Sequence, residues 1–483
     1  MMGVNVMKNK FTAKAVLFLG IFLSSTSSFF AAESENAGKI NERPVVLTVE
    51  QAVDFALENS RSLKSADIDL EMKKRASSTG WNVLLPNMQL TGTMSRANEY
   101  SPANSASAQM INGVLAVFGQ QTIPVAEDYE DEEARWSVIG GFSFGWNFSL
   151  AYIKQIQASR ASYESQKISY EQTCQETVLN VKKLFYALLL QKESLDIQKT
   201  TLLNAKNRAE QAEADYKNGR IPELSLLQTQ VSYENQKPDV EKAERDYRQS
   251  LDMFAFVLGL PVGTDIKLDG KIEPSYVDVD YDTLMQKYAS SSLALKSLDK
   301  NIDILKMNLS ALNLSAYTPA LALNYAWQPA YMGDAFSFAG DIGNDDKWYD
   351  AGSLSFTLAW NLTNLLPWSQ TGQQAKNLKQ SIAQLEINRE LLTENQKISV
   401  RKAVDTLKES RAQIDSMGRN ITLAQRAYDA TLKAYRSGTT ELLDLRDAES
   451  SLNQAKLGQM SQKYNYITAL LDLENTLNTK LTK

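Results

Sequence analysis

The sequence predicts an α+β chain of two structural repeats, each joining a pair of amphipathic strands to helices far longer than the usual three turns. Three observations point to it. Two segments alternate strictly between large apolar and small residues. Two very long runs contain no Pro and at most one Gly. The same motifs recur in the same order in both halves of the 483-residue chain.

At the N-terminus, Lys8, Lys10 and Lys14 lie among or just ahead of a short apolar run, Ala15 to Leu23, and small residues lead up to Ala32. This is the layout of a secretory signal, and the run is too short to span a bilayer. Residues 1–32 are therefore expected to be cleaved off. Residues 33–259 form the first repeat, 260–280 a linker containing Pro261 and Pro274, and 281–483 the second repeat.

The first helical pattern runs from Val49 to Ser78. Phe142, Phe144, Trp146, Phe148 and Leu150 then alternate with Ser143, Gly145, Asn147 and Ser149. In the second half Leu354, Phe356, Leu358, Trp360 and Leu362 alternate with Ser355, Thr357, Ala359 and Asn361. A strand sends successive side chains to opposite faces, so one face is large and apolar and the other small and polar. Each has a partner upstream, marked by Met88, Leu90 and Met94 in the first half and by Leu321, Leu323, Tyr325 and Trp327 in the second. A β-sandwich would use such strands too, but it needs many of them at even spacing. Only four are visible, with long helical stretches between the pairs.

Tyr152 to Asn218 holds no Pro or Gly, and Gln373 to Ser437 holds only Gly418. At 1.5 Å per residue the first run reaches about 100 Å as a helix. Shorter helical patterns cover Leu224 to Leu258, Tyr281 to Leu314 and Glu441 to Thr479. Ala205, Ala209, Ala212 and Tyr216 step by coiled-coil spacing, as do Leu423, Ala427, Ala430 and Ala434. Small knobs let helices approach closely, in a coiled coil or in an ordinary antiparallel bundle.

The halves also match motif by motif. Leu85 to Leu90 resembles Thr318 to Leu323, and Phe144 to Phe148 resembles Leu358 to Leu362. Tyr216-Lys217-Asn218-Gly219 resembles Tyr435-Arg436-Ser437-Gly438, and Tyr247 matches Tyr466. Glycine after a helix adopts the left-handed cap, so Gly219 and Gly438 mark the tips of two helical hairpins.

Four strands cannot close a barrel, and a sheet with an exposed apolar face and open edges aggregates. Assembly removes both problems. Two chains give eight strands with a filled interior, whereas three give twelve with room for a channel. The sequence therefore predicts a homotrimer with a twelve-stranded transmembrane β-barrel. Its apolar face meets lipid and its small polar face lines water. The strand-connecting loops, acidic at Glu127, Asp128, Glu130, Asp131, Glu132 and Glu133 and at Asp341, Asp345 and Asp346, read as solvated outer loops.

Several classes are set aside. The formal charge is −6, which disfavours nucleic acid as a partner. A single cysteine, Cys174, precludes an internal disulfide, and the absence of His removes Ser-His-Asp chemistry and most zinc sites. No catalytic residue, cofactor or metal is expected. Gly141-Phe142-Ser143-Phe144-Gly145 matches the hydrolase motif G-x-S-x-G, but it lies inside an alternating strand.

Leu47, Thr48, Ala52, Val53, Ala56, Leu57 and Asn59, the strand-leading Pro86 and Pro319, and the repeated tips together resemble the TolC family of outer-membrane efflux proteins. The resemblance covers essentially the whole mature chain. It implies a trimeric exit duct for drugs, metals or proteins, of a tripartite efflux or type I secretion system. The duct would sit in the outer membrane, its twelve-stranded β-barrel continued by a long α-helical coiled-coil barrel in the periplasm. It implies docking of a periplasmic adaptor (membrane fusion) protein and an inner-membrane pump at tips marked by Gly219, Arg220, Gly438 and Thr439. It also implies that Asp444 and Asp447, at the i, i+3 spacing of one helix face, ring the entrance as a gate with Tyr435 nearby. The Arg–Asp pair that locks the tip in some members falls here on Thr440 and Ser225. The alternative is a periplasmic helical scaffold or adaptor without a pore.

Overall fold

The computed structural model describes residues 45–96, 136–288, 291–331, 338–340, 342, 348–350 and 352–482. The expected signal and the acidic loop residues lie outside them. The first repeat runs β1 (Val45–Leu47), α1 (Val49–Asn59), α2 (Arg61–Ser78), β2 (Asn87–Arg96), β3 (Trp136–Phe148), α3 (Ala151–Lys217) and α4 (Glu223–Leu258). After β4 (Ile266–Leu268) come α5 (Tyr281–Tyr288), α6 (Leu293–Tyr317), β5 (Ala320–Trp327), β6 (Pro329–Tyr331), β7 (Trp348–Asp350), β8 (Ser353–Ala359), α7 (Gln370–Arg436) and α8 (Leu442–Leu477). The long helices of the two halves match in length. Helices α3 and α7 each have 67 residues, and α4 and α8 each have 36.

Three expectations about the elements are corrected. The helical patterns from Val49 to Ser78 and from Tyr281 to Leu314 each break into two helices. The first breaks because Ser60 has ψ 127°, an extended value that no helix accepts. Near the second break the Ser291 hydroxyl donates to Tyr288 O at 2.7 Å, the local competition by which serine interrupts helices. The fourth main strand stops at Ala359, short of Trp360 and Leu362. There the Asn361 side chain accepts the Thr363 N–H at 3.1 Å and starts a 3-10 turn, Leu362–Leu365.

The chain divides into two units. One, Trp81–Lys154 with Ser310–Gln373, holds an antiparallel sheet. Strand β2 pairs with β3, β3 with β5 and β6, β5 with β8 and β6 with β7. The short β6 and β7 lengthen the third and fourth strands. The register aligns the apolar positions across all four. Met88, Phe144, Tyr325 and Leu354 form one row, and Leu90, Phe142 and Trp327 another. Between them lies the row Gln89, Ser143, Ala326 and Ser353. Gly141 and Gly145 sit inside β3, without the strand-to-helix turn a hydrolase elbow requires. Two tryptophans fasten the strands to the segments before them, Trp146 Nε1 donating to Leu84 O at 2.8 Å and Trp360 Nε1 to Ala316 O at 3.1 Å.

The other unit, Lys39–Gly80, Gln155–Leu309 and Gln374–Lys483, is largely helical and carries two apolar clusters among the described residues. Ala52, Ala56, Val181, Phe185, Phe254 and Leu258 build the first; Val400, Val404, Leu407, Tyr466, Leu473 and Leu477 build the second. The segment expected as a linker takes part. Strand β4 pairs in parallel with β1, burying Ile266 and Leu268 in the first cluster, and Val279 joins the second.

Candidate functional site at the hairpin tips

Both tips close by the same backbone arrangement. Gly219 has φ 68° and Gly438 has φ 74°, the left-handed values that only glycine adopts freely. At the first tip the Gly219 N–H donates to Tyr216 O at 2.9 Å and the Arg220 N–H to Asp215 O at 2.8 Å. At the second the Gly438 N–H donates to Tyr435 O at 3.0 Å and the Thr439 N–H to Ala434 O at 2.9 Å. These two bonds make a Schellman cap, which satisfies carbonyls the helix end would otherwise leave open.

The side chains then differ. At the first tip Arg220 reaches back to Asp215 at 3.4 Å. At the second the hydroxyls of Ser437 and Thr439 both donate to Ala434 O, at 2.9 and 3.0 Å. Tyr216 is exposed, whereas Tyr435 is half-buried. Burial raises the Tyr435 phenol above its ordinary pKa, the Arg208 charge opposes the rise and Asp215 reinforces it.

Asp444 and Asp447 are exposed, one turn apart at the start of α8. Their chemistry is unequal. The Asp444 carboxylate accepts the Thr440 hydroxyl at 2.6 Å and the Glu441 N–H at 3.4 Å, while the Glu441 side chain accepts the Asp444 N–H. This reciprocal cap holds Asp444 against the helix N-terminus, where its charge also suits the dipole. Asp447 takes no part in the cap. Thr440, at the position of the expected lock, therefore binds its own helix start.

An open groove of about 1210 Å³ runs between the two tips. Arg208, Asp215, Ser225, Tyr435 and Arg446 line it, and Leu224, Leu227 and Leu443 give it exposed apolar patches. The structure thus brings Tyr435 and Gly438 to the same groove as Ser225.

Sequence reasoning overlooked the residues that join the hairpins. Glu449 on α8 is buried and accepts from Asn204 Nδ2 at 2.9 Å and Arg208 Nη2 at 2.8 Å, both on α3. One turn along, Asn453 Nδ2 donates to Thr201 Oγ1 at 3.0 Å. The signal was available. Leu445, Glu449 and Leu452 step by four and three, which puts a carboxylate into a buried stripe.

The family model described as "Outer membrane efflux protein" matches residues 52–260 and 287–479, one block in each repeat. The chain belongs to this family. Outer membrane protein TolC of Vibrio cholerae is 21% identical over 313 residues, 64% of this chain and 69% of its own length. The Campylobacter jejuni CmeC outer membrane channel superposes with a TM-score of 0.72 at 16% identity, covering 90% of this chain and 87% of that one. The outer membrane protein VceC of Vibrio cholerae gives 0.67 at 12% identity, covering 90% and 96%. As a member of the outer membrane efflux protein family the chain is an outer-membrane channel component and not an enzyme. The pore-free scaffold alternative is thereby set aside.

Proposed function

We propose that this protein is the exit duct of a tripartite efflux or type I secretion system, a passive homotrimeric conduit gated at its periplasmic entrance. The observation that carries the trimer is the sheet. In one chain β2 and β8 are its edges, neither has a second neighbour among the described residues, and every described side chain on them is exposed. Three such sheets joined edge to edge give a twelve-stranded barrel with space for water. Its outward rows, Met88–Phe144–Tyr325–Leu354 and their neighbours, would face lipid, and the rows of Ser, Asn, Thr and Gly would face the pore.

The helical unit supports the same assembly. Ala205, Ala209 and Ala212 are buried within the chain, whereas Leu423, Ala427 and Ala430, a second stripe of the same spacing, are exposed in the isolated protomer. That second stripe is the surface for a neighbouring subunit. The groove between the tips, which Gly438 lines, together with the tip residues Gly219, Arg220 and Thr439, would take a helical hairpin of a periplasmic adaptor, which would in turn recruit the inner-membrane pump.

At the entrance, three copies of Asp444 and of Asp447 would form two carboxylate rings, which favour and bind cations. With its charge shared by the cap, Asp444 contributes less than Asp447. The test is conductance of the purified protein in planar bilayers with a trivalent metal cation added on the tip side. Block in the wild type that weakens at least tenfold in Asp447→Asn, and less in Asp444→Asn, supports the gate. Block that survives the double substitution rejects it. Single-particle imaging in detergent tests the assembly, and any symmetry other than three-fold rejects the trimer.

A further inference from the structure

Among the described residues Glu449 is the only buried one with a charged side chain. A buried carboxylate is costly unless it is paired and hydrogen-bonded. Here both oxygens are used, Oε1 by Asn204 and Oε2 by Arg208, whose side chain is itself only 12% exposed. Well-packed apolar residues commonly stabilise such a site as well as an ion pair does, so the best-attested use of a buried pair is to fix register. What it fixes here is α8, the helix that carries Asp444 and Asp447, against α3 of the other hairpin.

The pair has no internal counterpart. Gly219 and Gly438 lie 219 positions apart, and at that offset Arg208 falls on Ala427 and Glu449 on Gln230. Only one of the two quasi-equivalent hairpin junctions can therefore hold an ion pair at these positions. The Thr440 hydroxyl, meanwhile, is committed to Asp444 on its own helix.

We propose that Arg208 and Glu449 are a clasp that seats the acid-bearing hairpin on its neighbour and holds the entrance closed. The clasp rests on the gated-channel reading above. It acts by positioning: neither side chain needs to touch cargo.

The test is resting conductance of the full-length protein in planar bilayers, with oligomer size checked alongside. Glu449→Gln keeps the shape of its side chain, Arg208→Gln shortens its own, and each removes one charge. Each is expected to raise resting conductance several-fold, and the swapped pair, Arg208→Glu with Glu449→Arg, to bring it back to within about twofold of wild type. Normally assembled single variants with wild-type conductance overturn the clasp. If neither assembles, Asn204→Ala decides, because it withdraws one donor and leaves the ion pair: a smaller rise supports the clasp and none overturns it. Cation block insensitive to the Asp444 and Asp447 substitutions would be a separate failure, of the gate and not of the clasp.

Discussion

Single side chains at the tips act through what they are bonded to. Two adjacent acids look alike in the sequence, yet one caps a helix and the other does not, and that inequality sets the expected order of their substitutions. Tyr466 shows the same dependence in the core. It is 1% exposed, and its hydroxyl accepts the Val277 N–H at 2.9 Å. Tyr466→Phe leaves that N–H without its acceptor, which costs about 1–3 kcal/mol. A lowered midpoint in thermal denaturation of the detergent-solubilised protein checks this. Alkaline pH acts on other tyrosines. Burial raises the phenols of Tyr186, beside Glu50, and Tyr247, beside Asp196, above their ordinary pKa near 10. A raised folded-state pKa means the folded state holds the proton more tightly. Their contribution is thus complete below the unfolded-state pKa and is lost as pH rises past it. The denaturation midpoint should hold steady from neutral pH to about 9 and fall beyond 10, less steeply in Tyr186→Phe.

At the scale of elements, helix length was legible because so little interrupts it. Runs with no Pro and at most one Gly became two helices of equal length, each ended by a glycine in the left-handed conformation. The breaks at Ser60 and near Ser291 were not legible, since serine interrupts a helix only where its neighbours let the backbone turn. Gly259 makes a similar point. It ends α4 at φ 81°, and a Cβ there would lie 2.3 Å from Asn59 O at the end of α1. Gly263, at φ 89°, has open space around it. Alanine at Gly263 should cost only the left-handed penalty of about 1–2 kcal/mol. Alanine at Gly259 should cost more, because α1 and α4 must also part. Comparing the two by thermal denaturation isolates the clash.

For the whole molecule, the sheet decides. Its register aligns the large residues of four strands on one face and leaves two edges open. Phe144→Arg puts a cation into the face assigned to lipid, at a cost of roughly 2–4 kcal/mol near the bilayer centre. Less trimer should then be recovered from outer membranes. Ser143→Arg, one residue away on the opposite face, should assemble normally and change ion selectivity. Equal tolerance of both in membrane fractions would reject the assignment of faces.

The sequence by itself determined the strand pairs, the long helices, the tips and the family, because each is written in local periodicity or in a recurring motif. Tertiary structure decided the rest. It paired β1 with β4 across more than two hundred residues, tied Asp444 into a helix cap, and set Glu449 against Arg208. Periodicity shows which face of an element is apolar. It does not say which distant element will cover that face, and the partner of a buried charge depends on that choice.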